Sequence, residues 1–384
     1  MEVYILDPLN RRQILVDQFI SFIWTERWQA YGDFELDVYS TVQNRGLFTV
    51  DTWLSMSSDL LGSSNYVMRV ELVDDSVDDT GNKILKITGR SIEAIMDDRA
   101  ARGTWTFPPG EVARTVFSEV CVSGSFDVGD IIPGINLVPF MPASTIPEQS
   151  DVVTITTSNI TTLFDVVVTQ ICTVWDLGFR ILRLDSTGVL YFDIYAGSDR
   201  TTDQDVLPPV IFSPQLDNLQ DTTEITDITD AKNVAYVLAS TGIVSTVYPD
   251  GIDPTIAGFE RRVLIVDATD IDSPTAPLLT QRGMQMLSAS RTSYVFDGTV
   301  SKNSQYRYGI DYNLGDLVEL QNQDGVTSKM RVTEQIFSHD NTGEFTYPTL
   351  VNYDLLNVGT WLSWNNPTTW FDLDADPTTW SEEP

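Results

Sequence analysis

A chain of 384 residues is long enough for two or more hydrophobic cores, because single cores stop growing at roughly 250–300 residues. Its 23 Lys plus Arg against 55 Asp plus Glu give a formal net charge of -32. Such a surface repels phosphate and gains nothing from counterion release, so nucleic-acid binding is disfavoured; the acidity serves either solubility or a function of its own.

The N-terminal MEVYILDPLNRR has an acid at its second position and no apolar h-region, so no secretory signal is expected. Nor does any apolar run approach the roughly 18 residues that span a bilayer, and no membrane insertion is expected. Cys121 and Cys172 are far apart in sequence without CxxC spacing, which excludes a disulfide framework and predicts buried thiols. A protein made in a cytoplasm and kept soluble is the expectation.

The first ninety residues read as short strands: Val3–Leu6, Ser21–Trp24, Phe34–Val38 and Trp53–Met56, separated by Pro8, Gly32-Asp33 and Asn44-Arg45-Gly46. Tyr66–Val73 alternates, with Met68, Val70 and Leu72 inward, and Ile84–Thr88 returns across an acidic loop, Asp74–Lys83. Evenly spaced short strands predict a barrel or sandwich over 1–90. The loop's dense acids, Asp74, Asp75, Asp78 and Asp79, read either as a solvated hairpin tip or as a cation or partner site.

Beyond Gly89-Arg90-Ser91 the period changes, and 91–205 reads as a mixed α/β region. Ser91 is placed to cap a helix bearing Ile92, Ile95 and Met96, and Glu111–Val120 predicts a second. In Ile160–Leu177 the residues Ile160, Leu163, Phe164, Val167, Ile171, Val174 and Trp175 follow the helical period. There Asn159 is expected to cap and Gly178 to stop the helix. A hairpin, Phe179–Leu184 with Val189–Tyr195, follows. Between the helices, 123–157 is a Pro-rich excursion with Pro133, Pro139, Pro142 and Pro147, expected to be a contact loop.

From 206 to 350 strands return at Asn233–Ala239, Arg261–Asp267 and Tyr294–Val300, with one helix over Pro277–Ala289. Leu317–Leu320 then turns at Gln323-Asp324-Gly325 into an arm with Met330, Val332 and Ile336 on a dry face and Lys329, Arg331 and Thr333 opposite. The order β, α/β, β predicts a β-rich α+β chain: two similar barrels around an inserted mixed region.

Candidate chemistry is sparse. His339 is the sole histidine and sits beside Asp340 at a turn, so a Ser-His-Asp or multi-His zinc site lacks material. With 55 acids, a glycosidase-like carboxylate pair carries no specificity. Asp372, Asp374, Asp376 and Glu383 approach calcium-loop spacing, but Pro377 stands where the sharp turn needs glycine. The segment 351–384 concentrates Trp361, Trp364, Trp370 and Trp380, with Pro-Thr-Thr-Trp repeated ten residues apart. These rings predict a protein interface with a neighbouring subunit, packing on their own domain, or sugar stacking.

A further set of segments occurs in order along the chain. They are Tyr31–Leu36, Val67–Glu71, Ile87–Glu93, Tyr195–Thr201, Phe212-Ser213 with Asn218-Leu219, Lys232–Val237, Tyr308–Val318 and Arg331–Glu334. Together they resemble the tail-hub (minor tail) proteins of long-tailed phages that infect actinobacteria, relatives of the baseplate hubs of contractile phages and secretion spikes. The resemblance implies two tube-like β-barrel domains per chain with inserted mixed α/β domains, assembled as a homotrimer. It implies a place at the virion tail tip and no cofactor. Its implied partners are a distal tail or tail-tube ring protein, the central fibre, other minor tail proteins and the tape measure protein. It also gives the acidity a use, since acids facing a lumen would let genomic DNA slide past without sticking. The Trp-rich segment lies outside the resemblance. A tail-associated cell-wall hydrolase and a carbohydrate-binding adhesin are the competing functions.

Overall fold

The computed structural model describes residues 1–353 except 17, 59–61, 78–80, 125–126, 133–136, 139–152, 249–253, 270–274, 289, 291–292, 302–303 and 342. It divides into two compact units, one of Met1–Thr229 with 292–353, the other Asp230–Arg291.

The first unit is organised by an 11-stranded sheet drawn from both ends of the chain. From one edge it runs through Arg12–Val16, Glu2–Leu6, Trp53–Ser58, Gly62–Val77, Lys83–Ser91, Asp33–Tyr39, Ser21–Arg27 and Thr327–Asp340. At that last strand it forks. Residues 327–331 pair with Leu317–Gln321, 334–339 pair with Ser21–Arg27, and the opposite edge carries Gly343–Asn352. Ile211–Phe212 continues beyond Leu317–Gln321 in parallel.

One apolar core lies against this sheet, joining Val3, Phe22, Trp24, Leu36 and Met68 from the N-terminal strands to Phe212, Leu320, Val332 and Phe337. The Met1 ammonium pairs with Glu344 of the C-terminal strand, and Met1 packs on the core, so the two ends of the sheet meet through side chains. Among the described residues no ladder closes into a barrel. From the region 206–350, expected as a second barrel, Ile211–Phe212, Leu317–Gln321, Thr327–Asp340 and Gly343–Asn352 belong to the same sheet as the strands of the first 91 residues.

Two bulges move faces that alternation alone would misplace. A register shift between Val70 and Leu72 leaves Leu72 53% exposed, although the period put it inward with Met68 and Val70. Another, between Val332 and Glu334, turns Gln335 and Phe337 inward and leaves Ile336 at the margin. An extra residue in one strand reverses every later side chain, so the dry face changes parity. Asp74 and Asp75 are corrected by the same geometry: they lie in the strand Gly62–Val77, opposite Lys86 and Leu85, rather than in a loop.

In the mixed region, Ala100–Phe107 and Val153–Thr162 form a ribbon, beside the three-stranded sheet Gly178–Arg183, Leu190–Tyr195 and Leu137–Val138. The helix Pro109–Phe117 runs into a π turn at Ser118–Val122, and Leu163–Val167 into another at Val168–Cys172. The expected helix over 160–177 starts later, at Leu163, because Thr162 rather than Asn159 accepts a hydrogen bond from the Asp165 N–H. It stops at Asp176, which adopts φ 52°, while Gly178 belongs to a strand. Ser91 does not cap Ile92–Met96, a 3-10 turn; its hydroxyl accepts from the Gly32 N–H instead. Both cysteines are buried thiols joined by no disulfide.

The second unit has strands Val244–Val247, Val234–Ala239 and Val263–Ala268, the last two parallel, and a helix, Ala276–Ser288, on one face. Its flanking chain forms the ribbon Leu219–Asp227 with Ser293–Val300 in the first unit.

Glycines give a direct test of packing. A Cβ on Gly315, at φ +84°, would lie 2.0 Å from the Trp28 ring, and one on Gly178 would lie 2.3 Å from it, whereas Gly46 has nothing within 4 Å. We expect Gly178→Ala and Gly315→Ala each to destabilise by about 2–4 kcal/mol. Gly46→Ala, inside the short helix Val42–Leu47, should be neutral or stabilising by up to about 1 kcal/mol. Thermal denaturation of the three variants checks this; equal melting temperatures would contradict the packing.

Candidate functional site

The first unit concentrates buried charge where its large sheet meets the mixed region. Trp28 is buried, accepts a hydrogen bond at its carbonyl from Phe179 and donates its N–H to the Thr333 carbonyl. Its ring packs on Gly178 and Gly315 and meets Tyr195 edge-on, with centroids 4.8 Å apart. Arg331, expected on a wet face, is 3% exposed: its guanidinium lies 5.6 Å from the Trp28 ring and 4.9 Å from that of Tyr353. It donates to the Gly315 carbonyl and pairs with Asp176. Burial raises the Asp176 pKa, opposed by Arg331, which favours the ion.

Beside it, Asp316 accepts from the N–H groups of Ser198 at 2.8 Å and Asn313 at 2.9 Å, fixing the chain that leaves the mixed region. Burial raises its pKa too. Glu93 accepts from the Ile181 N–H at 2.6 Å, tying the turn after the sheet to the strand beyond.

A second seam holds Glu26, which accepts from Trp24 Nε1 at 3.2 Å and the Tyr308 hydroxyl at 3.3 Å. Arg180 lies 4.0 Å over the Tyr195 ring and pairs with buried Asp193 at 3.1 Å, which also faces Arg114 at 3.4 Å. Burial pushes the hydroxyls of Tyr66, Tyr195 and Tyr308 up, keeping them neutral donors. Arg331 with Asp176 and Arg180 with Asp193 pair their charges, while Glu26 and Glu93 accept from neutral donors, an arrangement that fixes the geometry of the seams. Among the described residues no group of three or more His, Cys, Asp and Glu is placed to hold a metal.

His339 stands in the strand Thr327–Asp340, its ring edge-on to Phe19 at 4.9 Å and its Nδ1 3.5 Å from Glu344. Asp75 pairs with Arg45 at 3.3 Å, and a hydrogen bond from Ser40, with that Arg, holds its carboxyl below the usual range. Asp78, Asp79, Trp361, Trp364, Trp370 and Trp380 lie outside the described residues, as does the calcium-like spacing 372–383. The convergence of Trp28, Gly178, Gly315 and Arg331 was not legible in the sequence: Trp28 carried no assignment, Gly178 was expected as a helix stop, and a lone Arg in an alternating strand carries no signal of burial.

The His339 pKa is lowered, mainly by burial and next by the N-terminal ammonium. A depressed histidine binds its proton more tightly in the unfolded chain, so stability falls as pH drops through the ordinary value near 6.5. The raised Asp176 and Asp316 act in the opposite sense, so the test is a difference. Between about pH 7.5 and 5.5 the native chain should lose more stability than His339→Gln, read by urea denaturation. Parallel curves would contradict it.

The fold is shared with solved phage tail proteins. The 43 kDa tail protein of prophage MuSo2 from Shewanella oneidensis aligns at TM-score 0.61 and 15% identity, over 93% of this chain and 100% of that one. A tail protein from Neisseria meningitidis MC58 aligns at TM-score 0.58 and 11% identity, over 94% of this chain and 98% of that one. Prophage tail protein gp18 from Listeria monocytogenes aligns at 0.50 and 12%, covering 93% and 97%. No curated protein matches by sequence. The profile of the Siphovirus ReqiPepy6 Gp37-like proteins matches residues 2–350, nearly all the described chain, and the protein belongs to that family.

Proposed function

We propose that this chain is a structural subunit of a siphophage tail: a tail-tip hub of which three copies form a ring joining the tail tube to the central fibre. The observation that carries this reading is the eleven-stranded sheet, built from both chain ends around one core, in a fold shared end to end with phage tail proteins. The hub resemblance of segments such as Tyr308–Val318 supplies the position in the tail. In the ring the N-terminal and the C-terminal strands of that one sheet act as two similar tube-like units, so three copies present six to a sixfold tube end. Neighbours in the tail are a tube or distal tail ring protein, the fibre, other minor tail proteins and the tape measure protein.

The work is mechanical, and no residue is given a catalytic role. Two features support this: the buried charges are consumed in internal pairing, and the net charge of -32 suits a wall past which DNA moves without adhering. The hairpin end that carries Asp74, Asp75, Asp78 and Asp79 is assigned to the channel, and the segment with Trp361, Trp364, Trp370 and Trp380 to a contact between neighbouring chains.

Light scattering of the purified chain should read a trimer at the upper end of its concentration range. A monomer throughout, together with an off-axis single copy in a virion reconstruction, would end the ring reading. Virions carrying Asp74→Lys with Asp75→Lys should assemble and eject DNA more slowly; unchanged ejection kinetics would remove those acids from the channel.

A further inference from the structure

Among the described residues of the unit Asp230–Arg291, cover lies on one face of the sheet. Ala235, Val237, Ala239, Val247, Val266 and Ala268 pack under Leu279 and Leu287 of the helix Ala276–Ser288. Gly283 lets that helix come close, since a Cβ there would lie 2.8 Å from Val237 and Val247.

Alternation sends the intervening side chains to the other face. Register sets Tyr236 beside Thr246 and Ile265, and Leu238 beside Val244 and Asp267. Ile265 is 80% exposed, Val244 55% and Leu238 39%. Arg261 lies 5.9 Å from the Tyr236 ring centre and 5.8 Å from that of Tyr248, giving the apolar patch a cationic rim. Solvent-facing strands are ordinarily polar, and a contiguous apolar patch of this kind marks an interaction surface.

We infer that this face receives the C-terminal segment 354–384 of a second copy of the chain, an exchange that rests on the ring reading above. Charge points to that occupant. The segment has six acids and no Lys or Arg, so most of this acidic protein repels it. Residues 230–291 hold five basic and seven acidic side chains, against 18 and 48 in the rest of the chain, and Arg261 stands at the patch itself. Shape points the same way. Trp rings lie flat on exposed Ile, Val and Tyr and gain from Arg stacked nearby.

Ring logic supplies the donor and the acceptor. A head-to-tail ring needs two different, complementary patches on every copy, and an aromatic acidic arm with an apolar basic-rimmed sheet is such a pair. The arm's 31 residues extend up to roughly 100 Å, ample to reach a neighbour.

The test uses the full chain with a photo-crosslinking phenylalanine analogue in place of Ile265, prepared in light and heavy isotopic forms and mixed before illumination. The same sample is sized by light scattering. We expect position 265 of one isotopic form to be linked to residues 354–384 of the other. The links should fall at least tenfold when Trp370→Ala and Trp380→Ala are introduced together. Links confined to a single chain, links to residues outside 354–384, or a trimer without links would each overturn the docking while leaving the ring intact. A monomer without mixed-isotope links would overturn both.

Discussion

Trp28 is the contact on which the first unit depends. Its ring fills the space left by two missing side chains, Gly178 from the mixed region and Gly315 from the loop before the C-terminal strands. Arg331 closes the site, held over the ring while it binds a backbone carbonyl of that loop and the carboxylate of Asp176. Three segments distant in sequence thus converge on one indole. A charged group this buried is tolerated because both terminal nitrogens are hydrogen-bonded and its flat face meets aromatic rings; removal of any one partner would leave an ion with no solvent to replace it.

The same economy of placement appears across the sheet. Thr327–Asp340 is one strand with three neighbours, and through it residues near 25 and near 350 become adjacent. Arg27 and Glu334 form an ion pair at 2.6 Å across that seam. Pairing of this kind joins the two ends of the polypeptide, so the N-terminal strands wait for synthesis of the last ones before their core is complete. Folding dominated by such distant contacts is expected to be slow.

Most strands were legible because their apolar residues alternate and their turns are marked by Gly, Asp and Asn. Gly325 at φ +81° closes the predicted hairpin, and the helix expected at 277–289 appears at Ala276–Ser288. What failed was parity after a bulge. Leu72 and Ile336 share the pattern of their inward neighbours, and nothing local announces the extra residue that turns them. The helix Val42–Leu47 was hidden by Gly46 and is set by Thr41, whose hydroxyl accepts from the Asn44 N–H at 3.1 Å. The strands Arg12–Val16 and Leu219–Asp227 were not anticipated, because polar residues interrupt both. The buried Arg331 was unreadable for a deeper reason. Its face of the strand meets a second layer of protein, and that layer is specified elsewhere in the chain.

Asp227 and Ser293 pair directly across the ribbon that flanks Asp230–Arg291. The chain therefore leaves and rejoins the first unit at neighbouring positions, roughly 5 Å apart between Cα atoms. An insertion hung from such a closed doorway can be lengthened, swapped or deleted with little change in the entropy of the framework. Related chains would be free to vary this module while the strands of the large sheet stay fixed, and a short Asn-Gly turn joining 227 to 293 is the natural graft point for an engineered cargo.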